Sequence, residues 1–302
     1  MSVFAQMLQT QALMFLFIAT GFVLNRTHVL RKEGRSGIIG LLFYVALPCM
    51  ILHAFLQEVS CEDLIVAGQA VLVSAACCIG AYGLSLVLWR REPLERRSAL
   101  TFATMFSNAG NAGLPVVALV FGSRGVFFAS FFLLPVRVLM WTLGLSLFVP
   151  ENGRAKWRSL LCNPSLVVVF VGLALMALPV RLPAVLDSAV ESLGSMTGPL
   201  SMILIGAALA EQKLRDILDT GVWRLVPVRL LAIPLIALGI LRWLGADGLL
   251  QNVAVTLLAM PAASNTAMIA EMYGRDYRFA SACVFVTTIL SLITVPCLTL
   301  LY

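Results

Sequence analysis

The decapeptide SNAGNAGLPV, residues 107–116, interrupts a stretch that is otherwise apolar enough to cross a membrane. Within it stand Asn108, Gly110, Asn111, Gly113 and Pro115. Backbone groups that leave a helix are costly in hydrocarbon, so an irregular segment at that depth survives only when buried in protein or lining a wet cavity. The asparagines and glycines let the chain leave the helix; Pro115 forbids the ordinary ladder bond and suits the first turn of a new helix. Residues 260–266, MPAASNT, repeat the device with Pro261 followed by Ser264, Asn265 and Thr266. Two broken helices predict one place near the bilayer centre where unpaired amides, carbonyls and helix ends meet. There the N-terminal ends of half-helices favour an anion and the C-terminal ends a cation. The competing reading is that glycine and proline serve only as packing points and kinks, which membrane helices tolerate.

Around this stretch the chain supplies a membrane protein. Of its 302 residues 60% are hydrophobic and only 12% charged, and its mean hydropathy is +0.96, far from the composition of soluble domains. Runs of about 18 or more apolar residues read as membrane spans. About ten occur by this measure, at 7–24, 38–56, 64–89, 99–121, 126–149, 164–180, 186–209, 222–241, 249–270 and 277–301. They leave no room for a soluble domain. The first reads as a retained helix and not a signal peptide, since no basic residue precedes it and no small-residue cleavage site follows.

A net charge of +6 does not describe a nucleic-acid surface here, because the basic residues alternate from loop to loop. Arg26, Arg31, Lys32 and Arg35 follow the first span, Arg90, Arg91, Arg96 and Arg97 the third, and Arg154, Lys156 and Arg158 the fifth. Lys213, Arg215 and Arg224 surround the loop after the seventh, and Arg275 with Arg278 follow the ninth. The opposite loops hold only Arg124, Arg181 and Arg242, and the loop after the second span is acidic, with Glu58, Glu62 and Asp63. The positive-inside rule then makes the odd-to-even connectors cytoplasmic and places both termini outside, which an even number of spans requires.

Seven cysteines make no framework. Cys49, Cys77, Cys78, Cys283 and Cys297 fall in spans, as small buried apolar residues, and Cys61 has no evident partner in its outer loop. Neither His28 nor His53 has cysteines or carboxylates at ligand spacing, so no metal is expected. The sequence offers no nucleophile and base pair and no glycine-rich phosphate loop, which argues against an enzyme and against an ATP-driven pump acting alone.

Internal offsets suggest two halves. Pro48 and Pro199, central in spans two and seven, recur at nearly the same interval as Asn111 and Asn265. An odd number of spans per repeat inverts the second half, the plan of many secondary transporters. The predicted fold is therefore all-α and polytopic: residues 1–149 form a first five-helix repeat, 150–163 a cytoplasmic linker and 164–302 a second, inverted repeat, with spans four and nine broken and crossing.

Two arginines lie inside spans. Arg229 is a few residues from the cytoplasmic end of span eight, within reach of the interface by snorkelling. Arg137 is about 16 Å along span five at the helical rise, near the middle of a core about 30 Å thick. A lone charge at that depth must face a partner or water, and no Asp or Glu lies deep in any span. An anionic substrate is an attractive counter-ion; carbonyls of the broken helices are the structural alternative. The missing carboxylates also leave coupling open: sodium held by Asn, Ser and Thr oxygens with unwound carbonyls, a proton, or no ion at all.

The segments SNAGNAGLPVVALVFG (107–122), NPSLVVVFVGLAL (163–175), GPLSMILIGAALA (198–210), MPAASNTAMIAEMYGRD (260–276) and SLITVPCLTLL (291–301) resemble the auxin efflux carrier family over essentially all ten spans. The chain is similar to the compact bacterial members, because the long cytoplasmic loop of plant exporters would fall near 150–162 and is absent from the sequence. The resemblance implies two inverted five-helix repeats related to bile acid symporters and sodium/proton antiporters, with a scaffold part and a transport part that moves like an elevator. It also implies that Asn108, Pro115 and Pro261 occupy crossover positions receiving a substrate carboxylate. Arg137 departs from the uncharged residue expected there, which favours a more highly charged acid over a plant-hormone-like substrate; the resemblance to bacterial members implies malonate or other organic acids, among which the motifs do not select.

The combined expectation is a carrier of small organic anions in a bacterial inner membrane, without a resident cofactor and compatible with a homodimer. Its substrate-binding residues are Asn108, Asn111, Gly113, Pro115, Arg137, Pro261, Ser264, Asn265 and Thr266. A receptor that binds the ligand without moving it, or a channel, would use the same breaks.

Overall fold

The computed structural model describes residues 3–30, 32–56, 60–148, 164–177, 182–210 and 217–301; the expected linker 150–163 lies outside them. The first half carries α1 (Val3–Arg26), α2 (Lys32–Leu41), α3 (Leu47–Phe55), α4 (Cys61–Leu88), α5 (Leu94–Met105) and α6 (Leu114–Leu139). The second carries α7 (Pro164–Ala177), α8 (Ala184–Ser195), α9 (Thr197–Leu209), α10 (Thr220–Pro227), α11 (Ile233–Trp243), α12 (Gly248–Ala259), α13 (Asn265–Met272) and α14 (Tyr277–Leu298). Among the described residues the only β-pairing is a single antiparallel bridge between Ser107 and Ala262. Among the described residues five helical runs are long and apolar enough to cross a membrane: Gly37–Phe55, Glu62–Leu88, Ala109–Gly144, Thr220–Trp243 and Tyr277–Leu301. Ala12–Arg26 and Gly248–Ala259 are apolar but shorter. The run Ala109–Gly144 leaves helical geometry at Gly122, with φ 64° and ψ −163°, a conformation that a side chain would oppose.

Proline shapes three spans in one way. π-Helical turns at Leu42–Ala46, Ala109–Gly113 and Val228–Ala232 each end two residues before a proline, Pro48, Pro115 and Pro234. A proline removes the N–H owed to the carbonyl four residues back and crowds that carbonyl. The wider turn absorbs the extra residue and lets the helix continue past the defect. Helix starts in the connectors are capped by acids: Asp219, Asp247 and Asp276 accept hydrogen bonds from the amides of Gly221, Leu250 and Phe279, while Ser60 and Asp63 form a reciprocal capping box at the start of α4. Several of the few carboxylates in this chain thus serve as caps at span ends.

Two packing groups emerge. In the first, α1 lies on α9, and α3 on α7 and α8. Glycines set these distances: a Cβ at Gly21 would stand 2.0 Å from the Ile203 carbonyl oxygen and one at Gly206 1.9 Å from that of Ile18. Gly172 likewise accommodates Phe55, and Gly194 the backbone of Met50. Close backbone approach through small residues is how helices gain contact where lipid offers no hydrophobic drive between them. The second group joins α4, α5, α6, α10, α11, α12, α13 and α14. Its interior is aromatic, with Phe102 meeting Phe106 and Phe148 at centroid distances of 4.8 and 5.6 Å. Arg96 links the capping carboxylates of Asp219 and Asp276 at 3.0 and 3.5 Å, partly exposed pairs that contribute at most about 1 kcal/mol each, and Arg124 meets the buried Asp63 at 2.7 Å.

Candidate functional site

The last turns of α5 and α12 stop at Met105 and Ala259, and the chain beyond each runs past the other. Asn108 N–H donates to the Pro261 carbonyl at 2.7 Å and Ala263 N–H to the Phe106 carbonyl at 3.0 Å. Side chains complete the pairing that a membrane interior demands. The Thr287 hydroxyl on α14 accepts from Ala262 N–H at 3.1 Å, and the Ser107 hydroxyl donates to the Leu257 carbonyl at 2.8 Å. Past the break, Ala112 and Gly113 turn their amides back onto the Asn108 carbonyl, starting the π-turn that leads into α6. The Thr266 hydroxyl donates to the Ala263 carbonyl at 2.7 Å at the start of α13.

Arg229 corrects the expectation of snorkelling. It is fully buried, and its guanidinium donates to three carbonyls: Thr104 at 3.1 Å, Met260 at 3.3 Å, and Leu258. The span containing it begins at Thr220, earlier than the predicted 222, and Arg229 lies within the π-turn after Pro227. At that depth the carbonyl ends of the broken helices satisfy the charge, so the side chain has no need to reach the interface.

On the other face of the crossing lies a cavity of about 510 Å³. Its polar lining comes from Ser107, Asn108, Asn111, Arg137, Ser264 and Asn265, and Leu42, Leu47, Val136, Trp141 and Leu204 are among its apolar walls. The Asn108 amide donates to the Ser264 hydroxyl at 3.1 Å. Among the described residues the Asn265 amide donates to the Met140 sulfur, at 3.2 Å, a weak acceptor. Arg137 is partly buried; its Nη1 is wholly buried and finds no acceptor, and no carboxylate pairs with it, among the described residues. Both packing groups contribute: α9 and the α2–α3 span from the first, the crossing and α6 from the second.

Five of the nine expected site residues therefore gather at this cavity: Asn108, Asn111, Arg137, Ser264 and Asn265. Pro261 and Thr266 are buried within the crossing itself. Gly113 is a packing point, where a Cβ would stand 2.8 Å from the Leu257 side chain. Pro115, one turn beyond Asn111, lines a second cavity of about 370 Å³ with His53, Glu191 and Gly198. Met14, Val116 and Met260, all buried, belong to one apolar cluster at the crossing.

Thr287 escaped the sequence reading, since a threonine in a membrane helix ordinarily bonds its own backbone; here the hydroxyl also donates to the Cys283 carbonyl at 2.7 Å. Thr287→Val keeps the shape and orphans the buried Ala262 N–H. The variant is expected to lose about 1–3 kcal/mol, seen as a lowered midpoint of thermal unfolding in detergent; an unchanged midpoint would show that the bond is dispensable.

Residues 3–299 match the family described as membrane transport protein, in line with the resemblance to auxin efflux carriers. An uncharacterized transporter of Methanothermobacter thermautotrophicus is 30% identical over 301 residues, covering 95% of this chain and 96% of its own. An uncharacterized transporter of Methanocaldococcus jannaschii is 23% identical over 294 residues, 94% of each chain. A protein of Rhizobium meliloti named "Putative malonate transporter" is 24% identical over 266 residues, 83% of this chain and 82% of its own.

Proposed function

The chain belongs to the membrane transport protein family, and from that footing we propose that it is a secondary carrier of small organic anions, carboxylates foremost. The observation that carries the reading is Arg137: a guanidinium in a cavity at the crossing, with a buried Nη1 that finds no acceptor among the described residues. Burying a charge without a partner is expensive, and a carboxylate seated against Arg137 and the amides of Asn108, Asn111 and Asn265 would offset that cost. The name of the Rhizobium meliloti relative supports a short carboxylic acid such as malonate.

In this reading residues 1–149 and 164–302 are two inverted five-span repeats joined by 150–163, in a bacterial inner membrane with both termini outside. Substrate reaches the crossing alternately from either side as the group holding the crossing slides against the group built on α1, α3 and α9, and two copies of the chain fit side by side in the bilayer. Support comes from the placement of the 510 Å³ cavity between those groups, and from a second cavity beginning at Pro115, one turn past Asn111. Buried Met14, Val116 and Met260 pack at this crossing, which favours a carrier over a channel.

Flux into liposomes containing the purified protein tests the proposal, with labelled mono- and dicarboxylates and with sodium, proton and voltage gradients imposed singly. Saturable exchange is the expected result. Tight binding without flux under any gradient would establish a receptor instead.

A further inference from the structure

We infer that Arg229 is the resident cation of the crossing: it fills the place where the opposed carbonyl ends of α5 and α12 would otherwise take a coupling cation, so that the carrier moves its anion without co-transported sodium. The first half of this inference stands on geometry alone; the second rests on the carrier reading.

The last four carbonyls of a helix have no partner within it, and the partial charges there sum to a negative pole. In this fold two such poles end at one buried point. Thr104 belongs to the final turn of α5, Leu258 to the final turn of α12, and Met260 is the cap residue that follows. One guanidinium meets all three carbonyls. Planar, forked and permanently charged, it can serve several acceptors at once. Here it draws one from α5 and two from the end of α12, so its position depends on both broken spans at once.

A sodium ion needs a set of oxygens of this kind, and these carbonyls are engaged by a cation that cannot leave. A second cation among them would lose those bonds and meet a fixed like charge in a medium that screens poorly. The crossing is thus polarised. Its carbonyl face is closed by Arg229, and its amide face, with Asn108, Asn111 and Asn265, opens on the cavity where Arg137 stands. Both faces are arranged around an anion as the only mobile charge.

The experiment has two arms. In the first, Arg229→Ala is purified and its thermal unfolding followed with millimolar guanidinium, sodium, potassium or choline chloride. The variant is expected to unfold well below wild type and to be raised by guanidinium while choline leaves it unchanged, the wild type responding to neither. An alanine variant as stable as wild type, or one that guanidinium fails to raise, overturns the assignment. Should alanine yield no folded protein, Arg229→Lys and Arg229→Gln carry this arm: lysine is expected to be the more stable, and glutamine equal or better shows that charge is not what the site requires. In the second arm, wild-type protein in liposomes exchanges labelled malonate equally in sodium and choline media; accumulation that follows an imposed sodium gradient overturns the proposal. Folded wild type that exchanges no carboxylate, beside a positive first arm, sinks the carrier reading and leaves Arg229 as the resident cation.

Discussion

Arg137→Gln is expected to leave the protein folded and to reduce carboxylate flux by roughly 30-fold to several thousand-fold, the range given by about 2–5 kcal/mol for removing one member of a buried charge pair at about 1.4 kcal/mol per tenfold. Stability should hold because, among the described residues, the buried Nη1 of Arg137 has no hydrogen-bond partner that the fold would lose, and glutamine keeps most of the side chain's length and polarity. The loss should appear chiefly as a raised KM if Arg137 holds the anion equally at every stage, and as a lowered maximal flux if the contact tightens during passage. Arg137→Lys keeps the charge without the planar fork and is expected to fall between the two. Liposome uptake, read beside the thermal midpoint of the same preparations, checks the prediction. Wild-type flux from a folded Arg137→Gln protein would transfer the anion to the amides of Asn108 and Asn265, and the unpaired Nη1 would then need another explanation.

The contrast with Arg229→Gln sharpens the point. Both arginines lie deep in spans, yet one faces an open cavity and the other is fully buried on three carbonyls. Removing the second should therefore lower the thermal midpoint of the protein, so its effect is read as stability before it informs on transport. Counting residues along a span cannot separate these cases. Depth depends on where a span begins, which moved from 222 to Thr220 for Arg229, and partners come from segments remote in sequence, here Thr104 and the turn 258–260.

What the sequence made legible is the break itself, because Asn, Gly and Pro within an apolar run have few physical uses at mid-membrane. The convergence of Asn108, Asn111, Ser264 and Asn265 followed from pairing two such breaks. Pro115 and Thr266 were harder to place: Pro115 lines the second cavity with His53 and Gly198 and not the one that Asn111 lines, and a hydroxyl at a helix start is claimed by the local backbone. Thr287 and Ser107, which complete the crossing, carry no local sign of their partners at Ala262 and Leu257. The same holds for the glycines that set helix spacing, since a glycine in a membrane span is common and only its neighbour across the interface tells whether space or backbone lies beside it.

That distinction yields the other large prediction. Gly206→Ala is expected to abolish the folded protein, while Gly80→Ala and Gly239→Ala are neutral or slightly stabilising. At Gly206 the new methyl would stand 1.9 Å from the Ile18 carbonyl oxygen and 2.9 Å from the Phe22 nitrogen, so backbone and not a pliable side chain blocks it. Ordinary overpacking costs about 1–3 kcal/mol because side chains can rotate away; here α1 as a whole must move off α9. Retreat of α1 would also open the reciprocal contact, where Gly21 meets Ile203, so the two close approaches fail together and Gly21→Ala should behave alike. At Gly80 and Gly239 none of the described residues comes within 4 Å of the place a methyl would take, and alanine there removes about 0.5–1 kcal/mol of helix penalty. Size-exclusion profiles of fluorescent fusions extracted in mild detergent distinguish the outcomes: a monodisperse peak for Gly80→Ala, aggregate or no peak for Gly206→Ala. A monodisperse Gly206→Ala protein would mean that α1 and α9 slide past one another at little cost, which would make their contact a pliable interface and not a rigid one.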